Sequence, residues 1–354
     1  MNEDLPGRHE PLHRERRGPV LWLTGCNGPV NALSQPVRRG LAEGVTAGDA
    51  DPAVEAIVVH CEGRSFFAGA DLAELELGLR APGLLEFVTA CEDARKPVIA
   101  AVHGTVFGGG VVVAYACDYR IAAAGTRFAM PEVGLGLLPA FGGTQYLPRL
   151  LGVEAALQLI IDGDQWDAQR ARQAGLVDEI VPAPELLATA AAWARRHLPK
   201  RRVRDATAHL ADVPATTTAF TKRRQTMASR APDFEAPHIC LQVMEAGLQM
   251  PLAQALLCEH EAFLYLLQSP QSRRLRQLFF AERRLRRGGF DRGAIEQRLR
   301  LAGPAPDDLL RVSRRLLHEG AVPDVATLDA LLVEVTGAPR HAPSLIETLL
   351  GAPP

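Results

Sequence analysis

As far as Pro199 the apolar residues come in short continuous runs separated by turn-forming residues. Val20-Leu-Trp-Leu-Thr24 reads as a strand, and the stretch from Ala53 to Cys61 holds a second run, Ile57-Val-Val59. Pro97-Val-Ile-Ala-Ala-Val102 is a third, Tyr119-Arg-Ile-Ala122 a short fourth and Phe128-Ala-Met130 a fifth. Apolar runs without alternation suit strands buried on both faces. Helical patterns lie between them, around Val37–Val45, Leu84–Ala94, Val111–Tyr115 and Glu154–Asp162. Strands that alternate with helices indicate an α/β fold.

Beyond Pro199 strand signals nearly vanish. Ile239–Gln268 and Ser272–Arg287 read as amphipathic helices, the first broken at Pro251. Gly288-Gly289 and Gly303-Pro-Ala-Pro306 are further breaks, and Ala294–Leu301 and Asp307–Glu319 carry a last helical pattern. No internal repeat is visible.

Composition narrows the class. The chain has 354 residues, 47% of them hydrophobic, enough to bury a large core. The formal net charge of -2 gives no reason to expect nucleic acid or an anionic membrane as a partner. Six scattered cysteines, Cys26, Cys61, Cys91, Cys117, Cys240 and Cys258, show no metal spacing and read as buried apolar residues in a reducing compartment. Residues 1–17 are polar and lack the apolar core of a signal peptide, so a flexible tail is expected there. No apolar run reaches membrane-spanning length and the final Ala-Pro-Pro is not a peroxisomal address, so a cytoplasmic protein is expected.

Two glycine loops carry candidate chemistry. Arg64-Ser-Phe-Phe-Ala-Gly-Ala-Asp-Leu72 follows a strand and enters a helix, and its small residues let a ligand approach the backbone. His103-Gly-Thr-Val-Phe-Gly-Gly-Gly110 does the same. Amides that open a helix are unpaired and carry partial positive charge, which suits a developing oxyanion. Either loop alone reads as readily as a tight turn.

Further motifs follow in order: Met130-Pro-Glu-Val-Gly-Leu-Gly-Leu-Leu-Pro139, Gly142-Gly-Thr-Gln145 with Leu147-Pro-Arg149, and Ala171-Arg-Gln-Ala-Gly-Leu-Val-Asp-Glu179. With Pro29-Val-Asn-Ala-Leu33, this ordered set over roughly residues 18–200 resembles the enoyl-CoA hydratase/isomerase (crotonase) superfamily. It is most similar to the N-terminal hydratase/isomerase half of multifunctional fatty-acid oxidation enzymes. The stretches Met250–Glu261 and Ser269–Arg283 resemble the helical linker of those enzymes, and Val312–Gly320 resembles their small C-terminal helical domain. No G-x-G-x-x-G after a strand appears downstream, so no cofactor is expected and NAD should not bind.

The resemblance implies a crotonase-like spiral of ββα turns followed by a mostly α-helical C-terminal region. It divides the chain into the tail, an acyl-CoA domain over 18–200, a helical linker over 201–287 and a small helical region over 288–354. It implies an acyl-CoA thioester as substrate and leaves a homo-oligomer open. The backbone amides of Ala70 and Gly109 would form the oxyanion hole, beside Gly108. Asn31, Ala32, Ala68 and Asp71 fall in segments that contact CoA, and Gly142 and Gly143 in the loop beside the reacting carbons.

The resemblance also carries a departure. Of two glutamates in the hydratase pattern, one falls on Val112, which takes no proton, and the other on Glu132. Water addition uses two carboxylates, whereas moving a double bond needs one base to take a proton from C2 and return it to C4. A Δ3,Δ2-enoyl-CoA isomerase with Glu132 as acid/base is therefore favoured. A hydratase with a substitute second acid and a non-catalytic acyl-CoA-binding protein are the alternatives. A thioester hydrolase is disfavoured because Ala140 stands where those members carry Asp. His60 and His103 read as structural, Asp71 as a helix cap, and Arg273–Arg287 as a solvated helix face.

Overall fold

The computed structural model describes residues 10–71, 74, 75, 78, 80–303, 305–342 and 344. The chain divides into two compact units. The first comprises Met1–Glu132, Pro139–Arg224 and Cys240–Glu261, the second Val133–Leu138, Gln225–Ile239 and Ala262–Pro354.

The first unit is built on a sheet in the order β1-β2-β3-β4-β6-β9. Its strands are β1 (Leu12–Arg17), β2 (Val20–Gly25), β3 (Ala56–Cys61), β4 (Val98–Val102), β6 (Tyr119–Ala123) and β9 (Glu179–Val181). β1 pairs antiparallel with β2 and the remaining neighbours pair parallel. A smaller sheet, β5-β7-β8, takes β5 (Thr105–Phe107), β7 (Arg127–Ala129) and β8 (Trp166–Asp167). The chain visits the two sheets in turn, β4 then β5, β6 then β7, and closes each turn with helix, so the ββα repeat implied by the motifs is present.

Alternate residues of the large sheet face opposite ways. Val20, Trp22, Ala56, Val58, Ile99, Ala101, Tyr119 and Ile121 pack with Leu186, Ala190 and Ala194 of a helix over Leu186–Ala194. On the other face lies α1 (Gln35–Ala50), followed in the chain by α2 (Leu85–Asp93). A Cβ on Gly40, Gly44 or Gly48 would come within 2.7, 2.6 and 2.8 Å of Leu12, Leu23 and Leu21. Glycine every fourth residue therefore lets α1 lie close on the strands.

Two expectations are corrected here. Leu12–Arg17 is a strand, not a tail, while residues 1–9 lie outside the described set. Only Leu12 of β1 is buried and its other residues are exposed, so this charged edge strand carries no apolar pattern to read. The division at 200 also differs from the structure, because 201–224 and 240–261 belong to the first unit.

The second unit is helical. Leu278, Leu285, Ile295, Leu299, Leu309, Leu316, Leu328 and Leu331 form one core from helices over Pro270–Arg287, Arg292–Ala302, Pro306–His318 and Val325–Thr336. Residues 288–336 thus share a core with the preceding helix rather than standing apart. Arg273–Arg287 is not a uniformly solvated face. Arg274 pairs with buried Asp329 at 3.1 Å, and buried Arg276 donates to Ser272 Oγ and Leu267 O.

Candidate active site

Three loops of the first unit meet where the sequence placed the chemistry. Leu33 N–H donates to Gly69 O at 3.0 Å, and Leu33 forms an isolated parallel bridge with Ala70. Ala68 N–H donates to Val30 O, and Phe66 N–H to His103 O. Phe107 N–H reaches Phe67 O, and a Cβ on Gly110 would stand 1.8 Å from that same oxygen. Glycine is required at 110 because the two loops touch backbone to backbone.

Helix α3 (Gly109–Ala116) opens from this contact, so the Gly109 amide is the first of its unpaired donors. A Cβ on Gly109 would lie 3.9 Å from Ala70 N, 2.7 Å from Leu33 Cδ1 and 3.6 Å from Leu84 Cδ2. The Gly109 backbone and the Ala70 amide are therefore neighbours within an apolar rim. Gly108 has φ +53, and a Cβ there would meet Glu132 Oε1 at 2.6 Å. Gly108 thus stands between the amide pair and the Glu132 carboxyl.

Glu132 sits in a 3-10 turn over Pro131–Leu135, directly after β7. The residue is half-buried, but its Oε2 is sealed from solvent and has no hydrogen-bond partner among the described residues. Burial raises its carboxyl from 4.5 to about 7, opposed by a bond from its own backbone. An acid held near neutrality can both take and give a proton at ordinary pH. Val112, one turn into α3, is buried and apolar.

The other expected site residues separate into those that shape the loops and those that do not. Asn31, at φ +50, turns its side chain inward, and Nδ2 donates to Glu62 O and Ser65 O. That side chain ties the Asn31 segment to the Glu62–Ser65 turn that leads into the first glycine loop. Ala32 O accepts from Asn27 Nδ2, and Ala68 is half-buried. Asp71 O accepts from Leu75 N, and its expected role as a cap falls against residues outside the described set. Buried Arg38 ties the rim together by donating to Leu33 O, Pro82 O and Arg80 O and pairing with Glu74 at 2.7 Å. His60 bonds Thr24 Oγ1 and His103 bonds Gly63 O, both with their basicity lowered by burial, in keeping with structural roles.

Gly142 and Gly143 begin α4 (Gly143–Leu151). A Cβ on Gly143 would lie 3.4 Å from Met130 Cε, which brings this turn next to the Pro-Glu segment. Sequence reasoning missed its partner. Glu259, buried in the helix over Leu252–Gln268, accepts from Gly142 N at 2.6 Å, Thr144 N at 2.9 Å and Thr144 Oγ1 at 2.5 Å. Burial raises its carboxyl to about 7, with these three donors opposing. The signal for it is a lone carboxylate in phase with apolar Ala255, Phe263 and Leu266 on one helix face.

Known proteins of similar sequence and fold point to one family. The enoyl-CoA hydratase/isomerase family model matches residues 23–282. The human peroxisomal bifunctional enzyme is 37% identical over 276 residues, covering 76% of this chain and 37% of that protein. The chain therefore spans well under half the length of that relative. Crotonyl-CoA hydratase of Syntrophomonas wolfei is 42% identical over 184 residues, 50% of this chain and 70% of that protein. Among solved structures, an enoyl-CoA hydratase from Mycobacterium avium subsp. paratuberculosis aligns with TM-score 0.56 and 26% identity over 77% of this chain and 96% of that one. No helix among the described residues is long and apolar enough to cross a membrane. Several relatives carry peroxisomal names, so the expected cytoplasmic location gains no support from them. By the extent of the family match and the shared crotonase fold, the chain belongs to the enoyl-CoA hydratase/isomerase family.

Proposed function

We propose that this chain moves the double bond of an enoyl-CoA thioester, with Glu132 as the single acid/base and the Ala70 and Gly109 amides as the oxyanion hole. The observation that carries the reading is the buried Glu132 Oε2, without a partner among the described residues, on a carboxyl that lies against Gly108, the residue next to Gly109, with Val112 where a second acid would act. Glu132 takes a proton from C2 of a 3-enoyl thioester, negative charge collects on the carbonyl oxygen between the two amides, and the same proton returns at C4. Two preorganised donors at such an oxygen lower a barrier by several kcal/mol. No step calls on a nicotinamide or a metal.

A hydratase is the second reading, favoured by the likeness to crotonyl-CoA hydratase. It needs a second acid, and the buried Glu259 is a poor one because both of its oxygens already accept bonds from the Gly142–Thr144 turn.

The test is a spectrophotometric comparison of 3-enoyl-CoA isomerisation with 2-enoyl-CoA hydration, in the parent and in Glu132→Gln. Isomerisation should dominate in the parent. The variant should lose roughly a hundredfold or more in turnover, as expected for removal of a general base, while acyl-CoA binding holds. Brisk hydration without isomerisation would establish the second reading instead. Unchanged activity in Glu132→Gln would remove the catalytic role.

A further inference from the structure

We propose that Glu259 is a positioning residue that holds the ring of Phe141 as a wall of the acyl-chain end of the Glu132 site. The proposal rests on reading that site as an acyl-CoA site. Phe141 and Gly142 are consecutive left-handed residues, at φ +62 and +94. Side-chain-bearing residues rarely adopt that conformation, and it persists where the surroundings over-determine it.

Here the turn is held from three sides. Tyr115 Oη donates to Phe141 O at 2.8 Å. The Glu259 carboxylate accepts from Gly142 N and from both Thr144 donors. The Tyr146 ring lies so close to Gly142 that a Cβ there would stand 2.2 Å from it, and Tyr146 stacks on Tyr115 at 5.4 Å. The donors to Glu259 are two amides and a hydroxyl, none of them charged, which is a costly way to bury a carboxylate unless the geometry it fixes is needed.

What it fixes is the direction of Phe141. A Cβ on Gly83 would meet Phe141 Cε1 at 3.0 Å. The next residue, Leu84, faces Gly109. A base that serves C2 and C4 must lie beyond the carbonyl, away from sulfur, so the chain continues past Glu132. Leu84, Phe141 and Met130 are apolar side chains in that quarter, with Pro139 and Leu256 against the Gly142–Gly143 turn, and Phe141 hangs from the turn that Glu259 holds.

The experiment is calorimetric titration of the full chain with butyryl-CoA and decanoyl-CoA, which are saturated and cannot turn over. Phe141→Ala should tighten decanoyl-CoA relative to butyryl-CoA at least fivefold. Glu259→Ala should shift the same ratio in the same direction, and Glu259→Gln, which keeps one acceptor, should fall between. A purely structural Glu259 would weaken both ligands equally, and that result overturns the proposal, as does an unchanged ratio in Phe141→Ala. Should Glu259→Ala fail to fold, Thr144→Val removes one donor to the carboxylate, and an unchanged ratio there is equally fatal. Parent protein that binds both thioesters but converts no enoyl-CoA leaves the wall standing and removes the isomerase reading. Binding of neither ends both.

Discussion

The Glu132 carboxyl is held near neutrality by burial rather than by a neighbouring charge, and two measurable consequences follow. As a base it must be ionised, so kcat/KM should fall about tenfold per pH unit below about 7, read from initial rates across pH. A flat profile through that range would exclude Glu132 as the titrating base. The same shift acts on folding. The native protein keeps a proton that the unfolded chain releases at 4.5, so folding is penalised progressively as pH climbs from 4.5 to about 7 and stays penalised above it. At 1.36 kcal/mol per pH unit the ceiling is about 3 kcal/mol. Glu132→Gln escapes that penalty, and should be more stable than the parent by about 1–3 kcal/mol near pH 8, with the gain gone below 4.5. Denaturant titrations at the two pH values check this, and an equal difference at both would refute it. Glu132, Gly108, Gly109 and Ala70 were legible because their motifs are local and ordered. Glu259 was not, because its partner Gly142 lies 117 residues away and a single carboxylate on a helix leaves no pattern at that range.

Among the elements, the buried strands could be read from the sequence and the marginal ones could not. β3 and β4 are buried at every position, which their unbroken apolar runs announce. β5 lies inside the second glycine loop, and β8 is two residues long, so neither offers a period to detect. The helix over Val213–Arg230 contains Thr216-Thr-Thr218 and lacks a clear apolar stripe, so its sequence offers no helical period. Pro251 did mark a true break, between helices over Glu235–Gly247 and Leu252–Gln268. The junction of β5 with α3 is the least tolerant element. Gly110→Ala places a methyl 1.8 Å from the Phe67 carbonyl oxygen, and neither side is a flexible side chain that can yield. The variant should lose stability by at least the ~1–3 kcal/mol typical of overpacking, and a thermal melt close to that of the parent would contradict the contact.

At the scale of the molecule, the two units are not two consecutive stretches of chain. Residues 240–261 return to the first unit, where Glu259 meets the Gly142 turn, while the helices of the second unit close on their own leucine core and the buried Arg274–Asp329 pair. A linear reading of composition cannot foresee a chain that leaves a unit and comes back. Within the first unit, the three glycines of α1 also have a reach beyond their own contacts. The segment just before that helix carries Leu33, which is bridged to Ala70 and lies against Gly109. Arg38, on the helix itself, grips Leu33 O. The distance between helix and sheet therefore bears on the gap between the two amides proposed to hold the thioester oxygen. Gly44→Ala, whose methyl would come within 2.6 Å of Leu23 Cδ2, should lift the helix by a few tenths of an ångström and widen that gap. Turnover should then drop several-fold while the melting temperature falls by only a few degrees. Equal, proportionate losses in both would mean that the spacing of α1 serves packing alone.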